Sequence, residues 1–463
     1  MSAVTLMRSA VSSTSDGRSQ RMIGERWVRW LSLVAVTVAT WMLCTLMGGT
    51  WMFVARDMHP HEALVEVAES LGGPISLAYV FLALFASVLL VPSLLGLLTQ
   101  AARANLGGRE EHLAVLRLIG ATAGEVRGMM ILESLRQALV GLMLGSVLYV
   151  ITCPAWSFLT FQEKRVGAWE MLTWWVIPAA WIVVLVLAAC SVWLALRRVA
   201  VTPLGVTKKI PPKGQSWITL VLSVVGAVVL YRYLSSMNIA PGADAAAIAG
   251  MLVVYGGILT VNALIAVGII QLLARLSYRV PGAANYVATR RVGRGAKTTW
   301  KRVAALYFVA FIGGIGSWFS AVPEIDEAPA LKMIAGDIPT GVVITVVFAA
   351  VLMVSSTLLT QALSVVEQKQ LTKSLYFIGA PAAFHTKVAA REVGIPMLVV
   401  ALLGFGMGSL MGIAMVIAHV NVLDKVALFA ALVVVALIGC VLAVLGTGRL
   451  REQVLSGMGR VKD

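Results

Sequence analysis

Residues 109–150 read REEHLAVLRLIGATAGEVRGMMILESLRQALVGLMLGSVLYV. The stretch begins charged, continues as a short amphipathic segment, breaks at Gly120-Ala121 and runs on into a long apolar segment. A related stretch spans Gln368 to Met407. A shift of 259 residues aligns Leu116, Ile119, Gly120, Ala121, Ala123, Glu133, Leu139, Val140, Leu144 and Gly145 with Leu375, Ile378, Gly379, Ala380, Ala382, Glu392, Leu398, Val399, Leu403 and Gly404. Apolar bias supplies some of these identities by chance. It does not readily supply the shared Ile-Gly-Ala break, or a Glu thirteen residues beyond the Gly in both stretches. The chain therefore reads as two copies of one unit.

Of 463 residues, 59% are hydrophobic and only 13% charged, too few charges to coat a soluble protein of this length. Long apolar runs with few charges mark a polytopic membrane protein. The net charge of +15 is no nucleic-acid signal, because the basic residues alternate with apolar segments. Cys44, Cys153, Cys190 and Cys440 lie far apart in or beside apolar runs, as small buried hydrophobes do. The Ser- and Arg-rich residues 1–26 are too polar for a signal peptide, so the run that follows reads as a retained transmembrane helix.

A bilayer-crossing helix needs about 20 apolar residues. On that rule the chain offers ten spans: 31–54, 74–99, 129–153, 173–196, 216–234, 246–273, 303–322, 339–364, 392–419 and 424–447. With the N-terminus inside, Lys and Arg should gather in the even-numbered gaps. Residues 197–215 carry Arg197, Arg198, Lys208, Lys209 and Lys213 without an acid, and residues 275–303 carry eight basic residues without an acid. The opposite loops hold Asp57, Glu62, Glu66 and Glu69, and Glu324, Asp326, Glu327 and Asp337. The expected fold is an all-α integral membrane protein with ten transmembrane helices in a 4+2+4 arrangement. Residues 1–30 form a cytoplasmic segment, 31–200 and 301–448 two four-helix repeats, 201–300 two linking helices with a basic segment, and 449–463 a cytoplasmic tail. Each repeat crosses an even number of times, so the two are parallel, unlike the inverted repeats of many secondary transporters.

In the gap between the second and third spans, Leu113, Leu116 and Ile119 share a helical face, with Arg109, Glu110 and Arg117 at polar positions. Gly120 ends that helix, and Thr122 to Glu125 has the form of a capping box that starts the next. In the second copy Pro381 follows Gly379-Ala380, in the first helical turn that favours proline. Both encode helix, break, helix. By these residues alone, an interfacial helix that only anchors a loop is an equal reading.

The series Glu111, Leu113, Leu116, Arg117, Gly120, Ala121, Glu133, Gly141 and Gly145 resembles the FtsX-like permease family, the membrane subunits of MacB, LolC/LolE and BceB-type ABC transporters. Arg197, Arg198, Pro203 and Leu204 resemble the basic tail after the family's fourth helix. In the second copy Lys373, Ser374 and Tyr376 depart from the pattern ahead of Ile378-Gly379-Ala380. Ten spans in a 4+2+4 layout are similar to the BceB branch, but this chain lacks a large extracytoplasmic domain. The resemblance implies coupling helices at 109–119 and 368–378, with Arg109, Glu111, Leu113, Leu116, Arg117, Gly120, Ala121, Leu375, Ile378, Gly379 and Ala380 facing two copies of a separate ABC ATPase. ATP and magnesium would sit on that partner, since Gly293 to Thr299 lacks the Gly-Lys pair of a phosphate-binding loop and reads as a basic segment beside anionic lipid. The chain itself would be no enzyme and hold no cofactor. Glu133 and Glu392 would mark the junction between coupling helix and membrane helix, or pair with a basic neighbour such as Arg127 or Arg136.

Three further groups complete the reading. Asp57, His59, His61 and Glu62 have spacing able to hold a cation, but an acidic solvated loop is the stronger interpretation. Residues 61–71 read as a short amphipathic helix with Leu64, Val67, Ala68 and Leu71 toward the bilayer. Ser355, Ser356, Thr357, Thr360 and Gln361 cluster in the eighth span, and Trp156, Trp174 and Trp175 stand as interfacial belt residues. The expected function is an ABC transporter permease of a bacterial plasma membrane, both termini cytoplasmic, that exports or releases an amphipathic substrate such as an antimicrobial peptide, a lipid or a haem-like compound. The alternative is a signalling scaffold that controls a cell-wall enzyme without transport.

Overall fold

The computed structural model describes residues 3–62, 64–66, 76–104, 123–199, 216–236, 245–319, 329–367, 382–415 and 423–446. Helices dominate: α1 Ala3–Met58, α2 Ser76–Ala104, α3 Ala123–Thr152, α4 Val176–Val199, α5 Trp217–Ser236 and α6 Ala245–Leu276. They continue with α7 Ala283–Arg294, α8 Ala296–Phe319, α9 Pro329–Glu367, α10 Ala382–Met415 and α11 Leu423–Gly446. Between α3 and α4 the chain makes a 3-10 turn at Cys153–Phe158, an antiparallel hairpin of β1 (Thr160–Phe161) and β2 (Lys164–Arg165), and a single helical turn at Ala168–Met171.

Among the described residues, seven helical stretches are long and apolar enough to cross a membrane: Trp27–Met58, Ser76–Ala102, Ile131–Phe158, Val253–Leu276, Gly336–Val365, Ala390–Ile413 and Val426–Gly446. Three shorter apolar stretches, Val176–Ser191, Trp217–Tyr233 and Val303–Trp318, lie in α4, α5 and α8. Each of the ten expected spans overlaps one of these helices in its described residues. Helices suit this setting because every backbone N–H and C=O is satisfied within the segment. The outward surface is apolar as well. In α5, Ile218, Leu222, Val225 and Val229 are exposed, and in α11 Val435, Ile438, Leu442 and Leu445 are exposed, as lipid-facing residues would be. The chain is a multi-pass membrane protein.

The helices form two groups. In the first, α1 packs against α2, α3 and α4; in the second, α8 packs against α9, α10 and α11. Helix α9 reaches across to α1 and α2, while α6 packs on α5 and also meets α2, α8 and α10. Lipid offers no hydrophobic drive between helices, so close approach at small residues must supply packing energy. The chain does this at matching places. A Cβ on Gly141 would lie 2.6 Å from Val36 Cγ1, and one on Gly145 2.7 Å from the Thr37 carbonyl, both on α1. In the second group a Cβ on Gly404 would lie 2.6 Å from the Tyr307 carbonyl, and one on Gly408 2.2 Å from the Phe311 carbonyl, both on α8. Gly145 and Gly404 are one of the aligned pairs of the repeat. Tyr149, Tyr307, Phe311 and Phe429 fill the interior around these seams.

Two boundaries differ from the sequence expectation. Helix α9 starts at Pro329, so Asp337, expected in a loop, lies within a helix that also contains Pro339. Leu64, expected to face the bilayer, is packed inside the protein at 2% exposure.

Gly408→Leu should lower thermal stability in detergent by the equivalent of about 1–3 kcal/mol, the usual cost of overpacking. Gly406→Ala, on the same helix but with open space around its Cα, should leave the melting temperature unchanged or slightly raised.

Candidate functional site

The residues expected to contact an ATPase (Arg109, Glu111, Leu113, Leu116, Arg117, Gly120, Ala121, Leu375, Ile378, Gly379 and Ala380) all lie outside the described residues. The helices that follow them are described. Helix α3 begins at Ala123 and α10 at Ala382, each just beyond its Gly-Ala break. Glu133 and Glu392 therefore sit at the same register on equivalent helices, but in different surroundings. Glu133 is exposed. The Glu392 side chain is only 12% exposed, and Arg291 of α7 places Nη1 3.4 Å from its Oε2. That partner is not one the sequence suggested, because α7 is distant in sequence and reaches α10 only through the fold.

At the opposite end of the helices, Arg56 closes α1 with its side chain 4% exposed. Its Nε and Nη2 donate to Glu170 Oε2 at 2.9 and 2.6 Å, Nη1 donates to the Phe161 carbonyl at 2.9 Å, and Nη2 to the Arg165 carbonyl at 3.1 Å. Lys164 Nζ stands 2.7 Å from Glu170 Oε1. One guanidinium thus grips both strands of the hairpin and the helical turn behind it. The grip has a strained object: Gln162 and Glu163, which join the strands, have φ of 59° and 61°. Two-residue hairpin turns favour this left-handed backbone, which normally calls for Gly or Asn.

Glu170 feels two opposing influences. Burial would raise its carboxyl pKa, but the hydrogen bonds and charges of Lys164 and Arg56 outweigh it and hold the group below the ordinary carboxylate range. Its folded-state pKa is depressed, so the stability it adds is present above its unfolded value and lost as pH falls through the folded one.

The hairpin also ties the two helix groups together. Asp337 Oδ2 of α9 accepts from the Gln162 backbone N–H at 2.7 Å and from the Tyr79 hydroxyl of α2 at 2.7 Å. Farther along α9, Phe348 packs against Trp41 of α1 and Trp156, with centroids 5.9 and 5.8 Å apart. Farther still, Ser356 and Thr360 donate to Gln100 Oε1 of α2 at 3.1 and 2.7 Å. At a rise of about 1.5 Å per residue, Asp337 to Thr360 spans roughly 35 Å, the full thickness of a bilayer core. The seam between the groups is thus stitched at three depths. Of the tryptophans expected in an interfacial belt, Trp156 packs on Phe348, while Trp174 is exposed.

The Asp57 to Glu62 segment is built into this end rather than merely solvated. The Ser76 hydroxyl donates to Asp57, and His61 Nε2 is 2.8 Å from the Gln162 carbonyl. Among the described residues, no group of three or more His, Cys, Asp or Glu side chains is placed to hold a metal. Arg56, Glu170 and Gln100 are among the site residues that escaped the sequence reading. Arg56 had a signal, as a cation directly ahead of the acids of its own loop. Gln100 had none, because nothing in its neighbourhood names a partner on α9.

Residues 84–204 match the family described as FtsX-like permease C-terminal. The match starts inside α2, includes residues 105–122 and all of α3 and α4, and ends among the residues that follow α4. No curated protein matches the chain.

Replacing Arg56 with Met should cost on the order of 3 kcal/mol, the scale for breaking a buried ion pair. It should also flatten the loss of thermal stability expected as the unaltered chain is acidified through the Glu170 carboxyl, read as melting temperature against pH. Glu163→Gly, which relaxes a left-handed residue, should raise stability by about 1 kcal/mol; an unchanged melting temperature would show that the turn is not strained.

Proposed function

We propose that this chain, which carries an FtsX-like permease domain over residues 84–204, is the membrane subunit of an ABC system that passes mechanical force from a separate ATPase across the bilayer. The observation that carries the reading is the span of that match: it covers the turn with the Leu-Arg-x-Ile-Gly-Ala series and the helices on either side of it. Ten apolar helices would cross a bacterial plasma membrane as four, two and four, with both termini cytoplasmic. Two ATPase copies, carrying ATP and magnesium, would dock at 109–119 and 368–378, one for each repeat.

ATP-driven closure would push these turns and tilt α2 with α3, and α9 with α10. The seam between the helix groups then becomes the moving surface. Polar stitches such as Gln100 to Thr360 suit that role, because they exchange partners at small net energy, whereas interlocked glycine seams hold each group rigid. The substrate would be amphipathic, an antimicrobial peptide, a lipid or a haem-like compound. A short ordered hairpin at the outer end favours something drawn from the bilayer over something captured in solution.

The mass of the complex pulled from native membranes under mild extraction tests this. One copy of this chain with two copies of an ATPase subunit is the expected result. A lone monomer or homodimer without an ATPase would refute it.

A further inference from the structure

Beside α7 lies a groove between α6 and α10, and it has a composition that selects its occupant. Its walls include Ile270, Ala274, Ala288, Val292, Ile395 and Val399. Polar groups at and beside it bond within the protein. The Thr289 hydroxyl donates to the Asn285 carbonyl at 2.8 Å, and Asn285 Nδ2 donates to the Ser277 and Val280 carbonyls at 3.1 Å each. Arg391 contributes to the lining while its side chain reaches the loop at the start of α7, with Nη1 3.8 Å from where a Cβ on Gly282 would stand. Arg391 is exposed and has no carboxylate partner among the described residues.

The surface around the mouth is cationic. Helix α7 buries Asn285, Ala288, Thr289 and Val292 and turns Arg290 and Arg294 outward, with Arg290 5.3 Å from the centre of the Tyr286 ring. Arg275, Arg279 and Lys297 are also exposed, and residues 275–303 contain no acid. An apolar slot on a membrane helix pair, with the exposed Arg391 guanidinium at its lip and a cationic collar, fits a molecule with a hydrocarbon tail and an anionic head.

We propose that this groove binds one anionic phospholipid from the leaflet at this end, its acyl chain against Ile270 and Ile395 and its phosphate on Arg391. Guanidinium matches phosphate with two parallel hydrogen bonds. The collar of α7 adds attraction for a net negative headgroup and repels the trimethylammonium of a choline lipid. A lipid held here would brace α10 against α7 beside the Arg291–Glu392 pair.

The test is native mass spectrometry of the purified chain after exchange into equal parts phosphatidylglycerol and phosphatidylcholine. The unaltered chain should retain phosphatidylglycerol preferentially. Arg391→Gln should cut that preference by about fivefold, the worth of one arginine near an anionic surface. Ile395→Trp, which fills the slot from its half-exposed wall, should lower retention of the lipid while leaving Arg391 in place. Arg136→Gln, which removes an exposed cation outside the groove, should change nothing. Equal retention of the two lipids by the unaltered chain overturns the proposal. So does an equal loss in Arg136→Gln and Arg391→Gln, which would mean bulk charge rather than a site. Retention indifferent to both Arg391 and Ile395 overturns it too, and leaves the cationic collar to an acidic protein surface.

Discussion

Close backbone contact at glycine is the constraint on which the helix groups depend. In hydrocarbon, leucine gains nothing by leaving lipid for another helix, so packing must come from contacts that lipid cannot reproduce. At Gly145 and Gly404 the neighbouring carbonyl stands where a side chain would begin. Such contacts are short-ranged and unforgiving, and they fix one helix against another at a single register. Each group therefore has its own glycine seam, and the boundary between the two is made of other contacts.

That boundary is made differently. It has an acid with two donors at one end, a cluster of three aromatic rings in the middle, and a glutamine bridging two hydroxyls at the other end. Hydrogen bonds inside a membrane protein contribute only about 0.6 kcal/mol on average. They define an alignment without locking it. The two groups share a design but not an environment: Glu133 is exposed while its counterpart Glu392 is paired with Arg291. The linking segment contributes to the difference, because α7 lies against α10.

Much of this was legible in the sequence, and what was not has a physical explanation. Apolar length and loop charge located the helices because the bilayer imposes both. The 259-residue shift pairs Gly145 with Gly404, and in the structure each meets a neighbouring helix backbone where a side chain would begin. The hairpin escaped notice because two-residue strands carry no periodicity, and its turn uses Gln162 and Glu163 where glycine would have announced it. The start of α9 was misplaced because acids at 324, 326, 327 and 337 read alike, although the last of them is two turns inside the helix. Pairings across the seam, such as Gln100 with Thr360, follow from tertiary proximity over 260 positions, which no local pattern encodes.

Helix α9 holds a consequence in its first turns. Asp337, the outermost tether between the groups, lies two residues before Pro339, and Gly336 and Gly341 flank the pair with open space around each. Proline lacks the N–H that would bond the carbonyl four residues back, so the helix is least stiff on this turn. The catch and the hinge thus share one turn. Were the two helix groups to move apart as proposed, bending would concentrate there, with the first turns of α9 still fastened to the hairpin.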